Sequence, residues 1–488
     1  MDRSKPSPDI WSITGTDFLQ LSIRDAPAGG LASWLTEQLR LAISDGRLPV
    51  GSRLPATRVL AAELRVSRGV VTEAYQRLSE DGQIAGRGRG GTVVLAAPVA
   101  VPPAPARPPS RAPRRVFDGA PDPEVFEQLR TTAARIDLTP GLPDLAAFPR
   151  TAWLRAERTV LQQLSPADFG YGEPRGAPAF RRAVANWLAR NRGIRVDPGE
   201  VIVVAGVAQA LALLAQVLRR DGIDEIAVED PGSFGTRQQL QSWGIRTPPV
   251  AVDGRGARLS RLDGVRAVLL TPAHQFPTGV VLDGERRREL IDWAERGGLV
   301  IEDDYDAEHR YDRPPVPALR SMLADRVCYA GSVSKLLAPA LRTGWLLVPE
   351  RYHDDVVAAK RDTDLGNAVL TQLVLAELME SGDLERQLRL LRRRHRRRRD
   401  AMIDAIRNHL PKAEVHGAAA GVHLMITLGA DMPDVQLAAA ALDGGVKVQP
   451  LSWHRQHPGP PGLVLGYAAA PPADIADGIA VIGEALHR

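Results

Sequence analysis

The chain runs to 488 residues, 44% apolar and 25% charged, a soluble globular composition too long for one ordinary core, so two or more domains are expected. Its net charge of +4 permits a polyanionic partner without demanding one. A single cysteine, Cys328, excludes an intrachain disulfide framework, suits a reducing cytoplasm and reads as a small buried residue, not as a nucleophile.

The opening MDRSKPSPDIW has no apolar stretch of the kind a secretory signal needs. The first organised unit is expected over residues 20–95. LASWLTEQLRLAISDGRL places Leu31, Leu35, Leu39 and Ile43 at helical spacing and stops at Gly46. A second helix starts near Ala56, behind Pro55. A third, SRGVVTEAYQRLSEDG, follows a short turn at Arg65 and Val66 and has Ser67 placed to cap it. IAGRGRGGTVVL then reads as a hairpin, and three helices followed by a hairpin predict a winged helix-turn-helix.

LPATRVLAAEL followed by VSR-x-VV-x-x-AY resembles the GntR-type DNA-binding domain along the whole unit. The resemblance implies double-stranded DNA as a partner and puts the third helix in the major groove. There Ser67, Arg68, Gly69 and Thr72 would meet base edges, with Arg68 reading guanine, a contact worth about 1–3 kcal/mol of discrimination. By the same resemblance Arg53 and Arg58 position the phosphate backbone, and Arg87 and Arg89 lie in a glycine-rich wing beside the minor groove.

Residues 96–116 form the expected linker. Its first part, AAPVAVPPAPARPPSRAPRR, holds seven prolines, four arginines and no acid, which favours an extended, semi-rigid spacer. From 117 to 488 strand-like and helical runs alternate: VIVVA at 201–205, EIAVED at 225–230, AVLLTP at 267–272, LVIEDD at 299–304, RVCYAGS at 326–332 and GWLLVP at 344–349. The pattern predicts an α/β domain with a mostly parallel sheet covered on both faces, ligands collecting beyond the carboxyl ends of the strands. Residues 201–218 are uncharged and just long enough to raise a membrane span. Their β-branched start, the Gly206 turn and the Ala/Leu/Gln stretch read instead as a buried strand feeding a helix, and no membrane partner is expected.

Two segments carry the chemistry. EDDYDAEHRY at 302–311 and GSVSKLLAPALRTGW at 331–345 supply an Asp-Asp-Tyr cluster and a lysine between small polar residues, with an arginine seven positions on. That is what a pyridoxal 5'-phosphate (PLP) site requires. A desolvated Lys335 would form the Schiff base, and Ser332, Ser334 and Arg342 would hold the phosphate. Asp303 would pair with the pyridinium nitrogen so that the ring acts as an electron sink, and Tyr305 would donate to the ring phenolate. Asp304 is the rival of Asp303, because neighbours on a strand point to opposite faces. The two segments resemble the fold-type I aminotransferases, whose tyrosine spacing selects Asp303.

Other pieces follow from the same resemblance. AGVAQALALLA at 205–215 opens a helix whose amides near Val207 and Ala208 would face an anion, in the place of that family's phosphate cup. YGEPRGAP at 171–178 is similar to the segment whose tyrosine reaches the phosphate of the neighbouring subunit, so Tyr171 implies a homodimer with shared sites. EDPGSFGTR at 229–237 is similar to the segment that lays an aromatic ring over the cofactor, here Phe234, one place later than usual. TPAHQFPTG at 271–279 sets Phe276 where the family carries the asparagine that bonds the ring oxygen, and Val464 stands where its carboxylate-binding arginine would be. Either Arg237 serves as the clamp or the ligand has no α-carboxylate to hold. RRRHRRRR at 392–399 lies in a long helical stretch and reads as a solvated or partner-facing helix, not as a second nucleic-acid reader. No metal site is expected.

A GntR-like winged helix linked to an aminotransferase-like domain is the arrangement of the MocR subfamily of bacterial regulators, which the chain resembles from about residue 31 onward. The resemblance implies a cytoplasmic, PLP-dependent transcriptional regulator. It would be a head-to-tail homodimer with the cofactor held as an internal aldimine on Lys335 and PLP or an amine as effector. A working aminotransferase with an accessory DNA-binding domain is the alternative.

Overall fold

The computed structural model describes residues 26–27, 30–88, 91–95, 116–259, 262, 264–306, 308–311, 316–429 and 432–487. Arg89 and the expected linker over 96–116, all but its last residue, lie outside them. The chain divides into two compact units, residues 1–113 and 114–488.

In the N-terminal unit α1 (Leu31–Ser44), β1 (Arg53–Leu54), α2 (Thr57–Leu64), α3 (Arg68–Glu80), β2 (Ile84–Gly86) and β3 (Thr92–Val94) follow one another. The helices close on a small core that includes Leu35, Leu39, Leu60, Val71 and Leu78. α2 stops where Arg65 adopts a left-handed φ of 53°, and α3 restarts on Ser67, whose hydroxyl accepts from the Val70 amide at 3.4 Å. β2 and β3 form the hairpin, and β1 pairs antiparallel with β3 to make a three-stranded sheet. A two-residue strand is too short for alternation to announce it.

In the C-terminal unit α4 (Val125–Thr131), β4 (Ile136–Asp137), α5 (Arg150–Gln163) and α6 (Pro178–Arg192) lead into a strand-helix alternation. It comprises β5 (Ile202–Val204), α7 (Val207–Arg220), β6 (Ala227–Asp230), α8 (Phe234–Ser242), β7 (Pro249–Asp253), β8 (Gly256–Ala257), β9 (Ala267–Leu270), α9 (Gly284–Glu295), β10 (Leu299–Asp304), β11 (Val327–Ser332) and β12 (Gly344–Leu347). These strands form one sheet in the order β5-β12-β11-β10-β9-β6-β7-β8. From β11 to β7 all neighbours are parallel, whereas β12 runs antiparallel to β11 and β5, and β8 antiparallel to β7. Apolar side chains cover both faces: Ile202, Val204, Ile301 and Cys328 pack under α7, while Val203, Tyr329 and Trp345 pack against α6. β-branched runs buried on both sides are what a central parallel sheet demands.

Helices α10 (Glu350–Asp364), α11 (Val369–Glu380) and α12 (Asp383–His409) then lead to β13 (Glu414–His416), β14 (His423–Thr427), α13 (Asp434–Asp443), β15 (Val446–Lys447), β16 (Gln449–Pro450), β17 (Gly462–Gly466) and α14 (Pro472–Leu486). β13, β14, β17 and β16 make a small antiparallel sheet, and β15 pairs in parallel with β4 from the start of the unit. Among the described residues no helix is long and apolar enough to cross a membrane.

The arginine run of α12 is not the solvated or partner-facing surface its composition suggests. Arg394 and Arg398 converge on buried Asp144 at 2.6 and 2.8 Å, and Arg392 donates to the Glu308 carbonyl at 2.8 Å. Arg399 donates to the Ala418 carbonyl at 2.9 Å with its guanidinium 5.0 Å above the Tyr311 ring. His395 is fully buried, its ring 4.9 Å from that of His309. Five of the seven arginines of the run thus meet main-chain carbonyls or Asp144 of other segments, Arg396 doing so while exposed. Arg393 and Arg397 remain exposed.

Candidate functional site

In the N-terminal unit the residues assigned to DNA are all solvent exposed where they are described: Arg53 on β1, Arg58 on α2, Ser67, Arg68, Gly69 and Thr72 at the start of α3, and Arg87 after β2. Arg68 reaches the Thr57 hydroxyl at 3.4 Å, and the Thr72 hydroxyl turns back to donate to the Arg68 carbonyl at 2.9 Å. Among the described residues no carboxylate pairs with Arg53, Arg58, Arg68 or Arg87. By contrast Arg40 is neutralised by Glu37 and Asp81, Arg47 by Asp45 and Arg77 by Glu73. The uncompensated cations therefore belong to α2, the α3 entry and the sheet.

In the C-terminal unit a cavity of about 640 Å³ has Asp303, Tyr305, Lys335, Gly141 and Phe276 in its wall. The alternation of β10 decides between the two aspartates. Asp303 shares the face of Ile301, while Asp304 points to the α6 side, where the Arg192 guanidinium and the Tyr329 hydroxyl both donate to it at 2.5 Å. Asp303 keeps one buried oxygen, Oδ1, without a hydrogen-bond partner. Burial, joined by the charges of Asp304 and Asp306, pushes its carboxyl up to about 7, with Lys335 pulling the other way. The Lys335 amine donates to the Gly141 carbonyl, and burial lowers its pKa against the pull of Asp306 and Asp303. Gly141 has a φ of 89°, and a Cβ there would stand 3.2 Å from Lys335 Nζ. Burial, with Asp306 and Asp303, raises the Tyr305 phenol well above its usual value, so it stays a hydrogen donor.

The residues expected to take the phosphate gather near the ends of β5 and β11, although the cavity wall itself does not include them. α7 begins on Gly206 with a φ of 87°, and the amides of Val207 and Ala208 have no acceptor within the helix, whereas Gln209 and Ala210 donate to the Gly206 carbonyl. Val207 turns its side chain onto the core, so both it and Ala208 offer only backbone. The Arg342 guanidinium lies 3.6 Å from where a Cβ on Gly206 would stand and donates to the Ala205 carbonyl. Ser332 and Gly206 approach each other across Gly344, whose absent Cβ would meet them at 3.1 and 3.2 Å. The Ser332 hydroxyl accepts from the Ser334 amide at 3.4 Å.

Phe234 does not join this wall. It opens α8, and its ring packs against Phe126 at 5.7 Å with Arg237 5.3 Å over it, while Ser233, Gly235 and Thr236 line the cavity. A helix turns about 100° per residue, so the residue between two cavity-lining neighbours can point away. Aromatic surface comes instead from Phe126, Phe276, His423 and His454, Phe276 lying 4.9 and 5.0 Å from the two imidazoles. Burial pushes both histidines down to about 3, so they are uncharged walls. Arg237 is no free clamp, since it donates to the carbonyls of Trp453 at 2.9 Å and His454 at 3.0 Å. Val464 is fully buried in β17. The guanidinium in the wall is Arg130 of α4, exposed and without an ion pair or side-chain hydrogen bond among the described residues. Tyr171 is absent from the wall; it is 95% exposed, beside exposed Phe169.

Behind Tyr305 sit His274, Asp306 and His423, with ligand-type atoms within 4.8 Å of one another. His274 Nδ1 is hydrogen-bonded to Asp306 and Tyr305, which ties those three residues together, while the Nε2 atoms of His274 and His423 are buried without partners among the described residues.

Two family models match the chain: bacterial regulatory proteins of the gntR family over residues 31–94, and aminotransferase class I and II over residues 135–475. The probable rhizopine catabolism regulatory protein MocR of Rhizobium meliloti is 32% identical over 91% of each chain. The pyridoxine biosynthesis transcriptional regulator PdxR of Corynebacterium glutamicum is 31% identical over 92% of this chain and 95% of its own. Among solved structures, the multiple substrate aminotransferase of Thermococcus profundus covers 75% of this chain and 94% of its own with a TM-score of 0.68 at 26% identity. LysN, the α-aminoadipate aminotransferase of Thermus thermophilus, solved with N-(5'-phosphopyridoxyl)-L-leucine, covers 74% and 94% with a TM-score of 0.67, also at 26% identity. This aminotransferase fold implies use of PLP. The chain accordingly belongs to the MocR-type branch of the GntR regulators, in which a winged helix-turn-helix is joined to a class I and II aminotransferase domain.

Proposed function

We propose that this MocR-type regulator holds PLP on Lys335 and transmits the binding of PLP, or of an amine that reacts with it, to winged helices on double-stranded DNA. The observation that carries the reading is one cavity wall with a desolvated amine, an unpartnered carboxyl oxygen and a protonated phenol. These residues fit the group: Asp303 Oδ1 lacks the donor that a pyridinium nitrogen would bring, and Gly141 and Gly206 leave room that a side chain would fill. When bound, PLP supplies an aldehyde for imine formation and an electron-withdrawing ring.

The chain's own residues bind and orient. Lys335, its amine favoured in the uncharged form by burial, is the nucleophile. Asp303 accepts from the ring nitrogen and Tyr305 donates to the ring oxygen. The α7 amides at Val207 and Ala208, with Ser332, Ser334 and Arg342, take the phosphate. Arg130 is available to an acidic group on the effector. Exposed Tyr171 and Phe169 suit a homodimer in which Tyr171 completes the neighbour's site, and a head-to-tail pairing would present two winged helices to two half-sites. In each, Arg68 with Ser67, Gly69 and Thr72 reads base edges, and Arg53, Arg58, Arg87 and Arg89 meet phosphates.

The test is reconstitution of the full chain with PLP. Visible absorption should appear, and borohydride should label position 335. Lys335→Ala should lose both and still bind DNA; a wild-type protein that stays colourless and unlabelled would sink the reading. The enzymatic alternative rests on the same Lys335, Asp303 and Tyr305. Against it stand Val464 and an Arg237 committed to main-chain carbonyls, and multiple turnovers in a steady-state transamination assay would restore it.

A further inference from the structure

Tyr305 is held by a pair of residues that no motif singled out. His274 and Asp306 are buried, with 2% and 1% of their surfaces exposed, and His274 Nδ1 lies 3.1 and 3.0 Å from the two Asp306 oxygens and 3.0 Å from the Tyr305 hydroxyl. The approach is enforced. A Cβ on Gly421, whose φ is 85°, would fall 2.1 Å from His274 Cε1 and 2.7 Å from Asp306 Oδ2. Gly421 is itself fixed, its amide donating to the His309 carbonyl at 2.8 Å and its carbonyl accepting from the Tyr467 hydroxyl at 2.8 Å.

The hydrogen can be placed from these contacts. An ionised carboxylate only accepts, so Nδ1 facing both Asp306 oxygens must carry the hydrogen. Burial alone would raise the Asp306 carboxyl, but its contact with His274, whose Nδ1 faces both of its oxygens, leads the effects that bring it below its ordinary value and favours the ionised form. If the Tyr305 hydroxyl donated to Nδ1 instead, a bare nitrogen lone pair would face a buried carboxylate with no hydrogen between them. His274 Nε2 is buried without a partner among the described residues, so no second contact competes for the hydrogen on Nδ1. Nδ1–H is therefore shared between Asp306 and the Tyr305 oxygen, and the phenolic hydrogen must point elsewhere, toward the cavity.

We infer that His274, held by Asp306, is a positioning residue that turns the Tyr305 hydroxyl hydrogen toward the phenolic oxygen of the pyridoxal ring and strengthens that donation. The step toward the ring rests on the cofactor reading above; the hydrogen on Nδ1 does not. Donation into Tyr305 from behind polarises its hydroxyl and makes it a better donor in front. The other titratable groups that bear on Tyr305 are Asp306, Asp303, Glu229 and Tyr467, and those that bear on Asp306 besides His274 are His423, His309 and Lys335. None of them offers a hydrogen to the Tyr305 oxygen among the described residues.

The experiment uses the full chain in two states. In the PLP-loaded protein, the pH titration of the visible absorption is followed in wild type, Tyr305→Phe, His274→Phe and the double variant. His274→Phe should move the midpoint in the same direction as Tyr305→Phe, by about one pH unit, the size expected for a weakened hydrogen bond to a charged group. Added to Tyr305→Phe it should move nothing further, because it acts only through that hydroxyl. An additive shift, an opposite shift or none in the single variant overturns the inference. In the cofactor-free wild type labelled with 15N-histidine, the His274 ring should show hydrogen on Nδ1, and hydrogen on Nε2 alone overturns it. That second arm decides the placement even if His274→Phe fails to fold. It also separates the two readings, since a wild type that takes up no PLP sinks the cofactor assignment and leaves the histidine result standing.

Discussion

Helix α12 carries seven arginines between Arg392 and Arg399, and the winged helix carries Arg53, Arg58 and Arg68 on three elements and Arg87 just after β2. In α12, Arg394 and Arg398 share Asp144, and Arg392, Arg396 and Arg399 donate to main-chain carbonyls of other segments. In the winged helix the four are exposed and lack carboxylate partners among the described residues, although acids neutralise Arg40, Arg47 and Arg77 of the same unit. Charge density along a chain is thus a poor guide to affinity for a polyanion. A cation already paired adds little when a phosphate arrives, because the pair must first be broken or the phosphate held beside a carboxylate. An unpaired exposed arginine releases a counterion outright.

The widest separation between the two regions should come from Arg398→Met. The change removes one of two cations from an aspartate that is only 3% exposed and leaves the guanidinium's carbonyl acceptor at Ala468 unmatched. The expected loss is about 3 kcal/mol of unfolding free energy, the low end for breaking a buried pair because Arg394 still reaches Asp144. Urea unfolding of the full chain measures it. DNA binding by the folded protein should keep its salt dependence; a fall in that dependence would place α12 on the nucleic acid and collapse the contrast.

Within the winged helix, Arg68→Ala should cost about 1–3 kcal/mol of binding to the operator and much less on unrelated DNA, the mark of a base contact. Competition assays at one fixed salt concentration measure the ratio. Equal losses on all sequences would move Arg68 into the same class as Arg53.

The same contrast between local and assembled features decides how much was legible in the sequence. The three helices and the wing were readable because capping at Ser67 and apolar spacing act within a few residues. Lys335, Asp303 and Tyr305 were readable because each lies in a run whose spacing is itself the signal, and strand alternation then tells Asp303 from Asp304. His274, His423, His454, Phe126 and Arg130 were not, since they reach the cavity or its rear from four separate elements or loops. Phe234 was misplaced by the phase of one helical residue. The small antiparallel sheet of β13, β14, β16 and β17 escaped because its strands do not alternate regularly with helices, the pattern that announced the large sheet. The arginines of α12 were misread because their acceptors, at Asp144, Glu308, Tyr311 and Ala418, are spread over the unit.

The finest test sets single arginines of the two regions side by side. Arg53 on β1 and Arg393 on α12 are both exposed and both lack a carboxylate partner among the described residues, so they share local state and differ in the surface that carries them. If pairing alone governed attraction to DNA, neutralising either would lower the slope of log affinity against log salt equally. If the winged helix supplies the phosphate contacts, Arg53→Ala should reduce that slope by about one and Arg393→Gln should leave it unchanged. Titrations of one DNA fragment between low and physiological salt read both values. Equal slopes for the two variants would mean that an unpaired arginine counts wherever it stands, and that pairing is the whole of the difference.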